Sequence, residues 1–185
     1  DAAGLKQDLL SVYENWQKVL EGLNPPPQEF QKLSVTFQKG RDKEFEMLAK
    51  DLKEKHQMQI PIMEDSSIFA GHSRVRLETV RLWLRGAEKE GIPVIFEIST
   101  SGDHADRLGK TWNFSMEPFR RKFQYVKQSD GSAHIQKDGR ISKEFAEWYA
   151  QPTPFTQWSI SLLTPDAVSF DTLEEIAMEF EGSSI

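Results

Sequence analysis

The most compact cluster of ionisable side chains in this chain is Gly-Asp-His-Ala-Asp-Arg, residues 102–107. An imidazole titrates near neutrality, so Asp106 close to His104 offers an oriented general base. The carboxylates of Asp103 and Asp106 with His104 also offer metal ligands. Oxygen donors from serine, aspartate and backbone suit calcium best, which makes Ca the one cofactor option for the 101–107 loop. The same residues serve ordinary polar turns, where Asp beside Gly is common and Asp–Arg pairs with its neighbours. Asp103, His104, Asp106 and Arg107 therefore stand as candidate binding residues, with no catalytic residue and no metal ligand assigned.

Other catalytic signatures are absent. The four histidines, His56, His72, His104 and His134, are scattered and form no HExxH pairing. No GxSxG, GxxxxGK[ST] or GxGxxG occurs. With no cysteine there is no thiolate nucleophile, no disulfide and no cysteine-based zinc site. A hydrolase using acidic residues in a sandwich cleft is the third-ranked function, because no feature singles out a carboxylate pair.

The aromatic supply, 12 Phe and 5 Trp, exceeds what the polar clusters explain. Trp148, Tyr149 and Phe155 gather around Pro152 and Pro154, where a sandwich rim would offer sugars a stacking platform. Trp83, Trp112 and Trp158 lie inside strand patterns and read as core. Cations recur at Arg74, Arg76, Arg81 and Arg85 and again at Arg120, Arg121 and Lys122. They suit either an anionic partner or the protection of strand edges, with Glu174, Glu175, Glu179 and Glu181 available to balance them across strands. The net charge of −6, from 23 basic and 29 acidic residues, argues against nucleic acid as a partner.

These residues must be positioned by two differently patterned segments, divided near Ile60. Leu5, Leu9, Val12, Trp16, Val19 and Leu23 follow four–three spacing, the stripe of a coiled-coil-like helix. Pro25, Pro26 and Pro27 stop that helix. A second helical pattern runs through Phe30, Leu33, Phe37, Phe45, Leu48 and Leu52, so residues 1–58 read as a helical hairpin or the end of a stalk. Self-association or a protein partner would cover its stripe. From Ile60 onward apolar residues alternate, with a phase shift at Glu78–Thr79 that implies a bulge. Ser101–Lys110 reads as a polar loop, and short turns at Ser129-Asp-Gly-Ser and Lys137-Asp-Gly separate the later strands. Linkers too short for helical crossovers imply antiparallel pairing. The expected class is α+β, a helical arm followed by an antiparallel β-sandwich of jelly-roll type over residues 60–185, with a closed barrel as runner-up. That body is expected to fold alone.

Four phrases, RVRLETVRLWLRGA, ISTSGDHADRLGKTWNF, PFTQWSISL and LEEIAMEFEG, together with the order of helix then sandwich, resemble the C-terminal region of the large A components of insecticidal toxin complexes (Tc toxins). The resemblance spans about residues 68–183 and carries no functional residue across. It implies a binding or assembly module within a larger oligomeric protein. That non-enzymatic module is the leading expectation, and a carbohydrate-binding domain with a glycan partner is the alternative. No apolar run is long enough for a transmembrane segment. No signal peptide opens the chain and residue 1 is Asp, which reads as a fragment or processed form and leaves extracellular and cytosolic localisation equally open.

Overall fold

The computed structural model describes residues 2–23, 27–141 and 151–185, with backbone alone at residues 17, 18 and 20–23. Helix α1 (Ala2–Leu23) is followed by β1 (Gln28–Gln38), α2 (Glu44–Lys55) and β2 (Gln57–Pro61). Then come β3 (Arg76–Arg85), β4 (Val94–Leu108), β5 (Lys110–Ser115), β6 (Arg120–Lys127), β7 (Ala133–Lys137), β8 (Thr156–Leu162) and β9 (Glu175–Ser184). The strands make two antiparallel sheets, a three-stranded one in the order β1-β9-β3 and a six-stranded one in the order β2-β8-β4-β6-β7 with β5 on β4.

The expected helical hairpin is not formed. Residues 28–38, assigned above to a second helix, are strand β1, paired with β9 along its length. A bulge explains the misleading spacing. The register shifts between Phe30 and Leu33, with Lys32 at φ 56°, so one extra residue turns a strand interval of two into an interval of three. Phe30, Leu33 and Phe37 then mimic helical spacing, although Leu33, Val35 and Phe37 alternate as a strand. Thr36 and Val35 are β-branched and favour that extended state.

Helix α2 does form over the second half of that pattern. It buries Phe45, Leu48 and Leu52, places Glu44 and Glu46 in its first turn and Lys53 and Lys55 in its last, as the helix dipole favours. It ends where His56 turns left-handed (φ 55°) and donates its backbone N–H to the Leu52 carbonyl at 3.0 Å.

Side chains from both sheets meet in one core. Trp158 of β8 lies 5.7 Å from Phe180 of β9, and Trp83 of β3 packs on Phe123 and Tyr125 of β6 at 5.4 and 4.7 Å between ring centroids. Phe30, Phe45, Leu48 and Leu52 belong to this same buried cluster. The change of period at Ile60 is therefore no boundary in the packing, because residues 28–58 supply an edge strand and a covering helix to the body.

The bulge expected at Glu78–Thr79 is present, between Leu77 and Thr79 opposite β9. Phe30 and Leu77 both face Gly182, so bulges on the two outer strands flank one glycine of the central strand. A Cβ at Gly182 would collide with the Arg76 backbone carbonyl.

Two outcomes follow for stability. Gly182→Ala forces a carbonyl aside in the middle of a sheet and should cost about 1–3 kcal/mol, read as a shift in the denaturation midpoint. A chain beginning at Pro27 should melt as the full chain does, whereas one beginning at Ile60 lacks β1 and α2 and should show no cooperative thermal transition by circular dichroism. The second outcome reverses what the sequence alone leads one to expect.

Candidate functional site

Residues 101–107 are not a loop. They continue β4, and β5 pairs with them residue for residue, Asp103 with Ser115, His104 with Phe114 and Asp106 with Trp112. The strand is irregular on its other edge, where the register with β8 shifts between Thr100 and His104. Gly102 sits in that irregularity with φ 89°, and a Cβ there would meet the Met116 carbonyl at 2.7 Å. Polar composition suggested a loop, but a glycine able to adopt positive φ lets a polar strand run on through the bulge.

Their hydrogen-bond partners separate the four candidates into two pairs of roles. Asp106 is nearly buried and accepts from Arg76 Nη2 at 2.7 Å, an ion pair with side chains 8% and 13% exposed. Arg107 donates to the carbonyls of Glu64, Phe69 and His72, each at 2.9 Å, and so ties down the segment after β2. These two residues are struts. The expected pairing of Asp106 with His104, and a calcium ion shared by Asp103 and Asp106, are not what the geometry provides. Asp103 and Asp106, three apart on a strand, face opposite ways. Asp106 and His104 share a face, but Asp106 is taken by Arg76 and the Arg107 N–H and His104 Nδ1 by the Thr153 carbonyl. Among the described residues, no three histidine or acidic side chains converge as a metal site.

Asp103 and His104 do share a site. They line a groove of about 780 Å³, with Gln59, Ile62, Met63 and Glu64 after or on β2, Asn113, Phe114 and Ser115 on β5, and Phe155, Thr156 and Gln157 at the start of β8. Asp103 is exposed, and its Oδ1 accepts from Ser115 Oγ at 3.0 Å. Its backbone carbonyl accepts from Thr156 Oγ1 at 2.6 Å. Along the same outer face, Gln57 and Gln59 donate to Ser159 Oγ at 2.7 and 2.9 Å, and Gln157 donates to Gln59 Oε1 at 3.2 Å.

His104 is only 3% exposed, lying beneath Phe114, with the two rings nearly parallel at 18° and 5.7 Å apart. Its Nδ1 lies 3.1 Å from the Thr153 carbonyl, which accepts and so places the proton on Nδ1. Nε2 is buried and has no hydrogen-bond partner among the described residues. Burial pushes the imidazole pKa down. The Thr153 carbonyl and the Asp103 charge oppose that shift, and Arg76 reinforces it.

The aromatic candidates part ways. Phe155 is buried, edge-on to Phe69 at 5.3 Å, so it supports the groove from below and offers no open platform. Trp148 and Tyr149 lie outside the described residues. Trp158 is core as expected, but Trp112 is 53% exposed, with Lys110 Nζ 3.9 Å from its ring centroid. An edge strand paired on one side alone leaves that ring uncovered.

The strand cations are largely balanced across strands. Arg81 donates to Asp138, Glu179 and Glu181 at 2.7–3.3 Å, and these three carboxylates raise its pKa further against the penalty of burial. Arg85 pairs with Glu175 at 2.6 Å.

The α1 stripe is the other place where side chains await an explanation. Leu5, Leu9, Leu10, Val12, Trp16 and Val19 are each between 52% and 63% exposed. The side chain of Leu23 lies outside the described residues.

Sequence reasoning missed Gln59, Gln157, Asn113, Phe114 and Ser115 as groove residues. The outward phase of β2 and β8, with Gln57 and Gln59 beside Gln157, Ser159 and Ser161, was a usable signal, but it needed the strand pairing to be read. No protein-family model matches the chain, and no curated protein sequence matches it either.

His104 generates a pH test. Its folded-state pKa lies below the ordinary imidazole value of about 6.5. Below that pH the unfolded chain binds a proton that the folded chain refuses, so stability falls as pH drops from about 7 towards 5. His104→Gln should remove this part of the slope in guanidinium unfolding curves. Nitrogen-15 imidazole spectra should show His104 as the Nδ1–H tautomer, titrating below a free imidazole.

Proposed function

We propose that this chain is a non-enzymatic assembly module of a larger, toxin-complex-like multidomain protein, with a jelly-roll-like sandwich as its body and α1 as its contact. The single observation that carries the proposal is the exposure of the α1 stripe. A helix of 22 residues shows water five large apolar side chains at four–three spacing, Leu5, Leu9, Val12, Trp16 and Val19, while the body has a full core of its own. Each such side chain contributes about 1.5–3 kcal/mol when fully covered. Helices in proteins owe most of their stability to packing of this kind.

The occupant that fits is α1 of a second copy. Four–three spacing is the pattern by which one helix inserts its side chains between those of another, and it presents the same stripe on each partner. Trp16 supplies the large anchor and Leu5, Leu9, Val12 and Val19 the flanking contacts. Most of the body's strand cations are already occupied within the molecule, which supports α1 over the sheet surface as the contact.

Light scattering tests this directly. The full chain should associate with rising concentration, a chain beginning at Pro27 should remain monomeric, and the double variant Leu9→Asp, Trp16→Asp should behave as the shortened chain does. A full chain that stays monomeric at high concentration would defeat the proposal.

A further inference from the structure

We propose that Asn113 is an acceptor for N-linked glycosylation, so that a chain entering a secretory compartment leaves it with an oligosaccharide on β5. The argument starts from a tripeptide. Asn113-Phe114-Ser115 has an asparagine, then a residue other than proline, then a hydroxyl, which is the pattern an oligosaccharyl transferase reads. The chain has two further asparagines, and neither qualifies. Asn15 leads to Gln17 two places on, and Asn24 is followed by Pro25 and Pro26.

Such a tripeptide also arises by chance, and its place in the fold decides whether a bulky substituent fits. All six residues of β5 are exposed. β5 pairs with β4, and its other edge pairs with no described strand. Residues two apart on a strand share a face, so Asn113 and Ser115 point one way and Phe114 the other. The Asn113 amide makes no hydrogen bond among the described residues, so a sugar on Nδ2 displaces no contact of the fold. Its backbone is held instead, by the pairing of Asn113 with Ala105 of β4. Asn113 also lines the groove of about 780 Å³, which leaves room beside it for the first sugar.

The transfer balances with one co-reactant, an oligosaccharide carried on a polyprenyl diphosphate. Nδ2 of Asn113 attacks the anomeric carbon and a C–N bond forms. The C–O bond to the diphosphate breaks, the lipid diphosphate leaves, and the amide gives up one proton to a base of the transferase. Nothing is oxidised or reduced. Once β5 has paired, Ser115 Oγ donates to Asp103 Oδ1 at 3.0 Å, so the hydroxyl is free for the transferase only before that pairing. The sugar is therefore added as the chain is made, and folding then carries it to the surface. The site lies on β5 and does not rest on the assembly role of α1.

The full chain, directed by an added leader into the secretory pathway of a cultured eukaryotic cell and recovered from lumen and medium, tests the inference by mass spectrometry. The product should be heavier by an oligosaccharide. Peptide-N-glycosidase should remove it and leave aspartate at position 113 in the tryptic peptide of residues 111–120. Asn113→Gln and Ser115→Ala should each abolish the added mass, and Ser115→Thr, which keeps the hydroxyl, should retain it. Asn113→Gln made without the leader should melt with the parent made in the same way, so its lost mass reports a lost acceptor and not a lost fold. A translocated parent chain with unmodified asparagine at 113 would overturn the inference, as would glycosidase-sensitive mass that persists in Asn113→Gln.

Discussion

The antiparallel pairing of β9 with both β1 and β3 is the constraint on which the rest of the molecule depends. β9 comes last of all the strands in sequence, yet it is the central strand of its sheet. One of its faces sends Ile176, Met178 and Phe180 into the core. The other presents Glu175, Glu179 and Glu181 to the arginines of β3. Bulges in both neighbours fall opposite Gly182, where only the absence of a Cβ lets the Arg76 carbonyl pass. The sheet thus closes only after its two ends in sequence have met, which sets long-range contacts ahead of local ones in holding the fold.

The same crossing point fixes the groove. Arg76 follows Val75 into β3 beside Gly182 and reaches Asp106 of β4 in the other sheet at 2.7 Å. One residue on, Arg107 binds three carbonyls between Glu64 and His72, which form the rim beyond β2. A charged residue this deep contributes little net stability once the cost of desolvation is counted, but removing one partner strands the other. Asp106 and Arg107 are therefore bound into the frame, and Asp103 and His104, on the other side of Ala105, are left to line the groove.

How much of this was legible in the sequence depended on whether the signal was local. Antiparallel strands after Ile60, the bulge near Glu78, the helix carrying Phe45, Leu48 and Leu52, and the strand cations balanced by glutamates all follow from spacing within a few residues. β1 was hidden because its bulge at Lys32 imitates a helical interval, and only its partner β9, nearly 150 residues away, reveals the extended state. The 102–107 cluster was visible by type but not by role. Two of its residues became struts because Arg76 and three distant carbonyls claim them, and no local rule shows that. Gln59, Gln157 and Asn113 are unremarkable polar residues until strand pairing gathers them on one face.

Between them, α1 and the groove show two ways in which a fold can leave free energy unspent. The α1 stripe is apolar surface left exposed among the described residues, and a helix of matching spacing would cover it. The groove is polar surface already ordered by Ser115, Thr153 and Thr156, so a ligand there meets little further cost of arranging side chains. Hydrophobic contact is tolerant of sequence and favours copies of the same chain. An ordered set of donors and acceptors is selective by geometry.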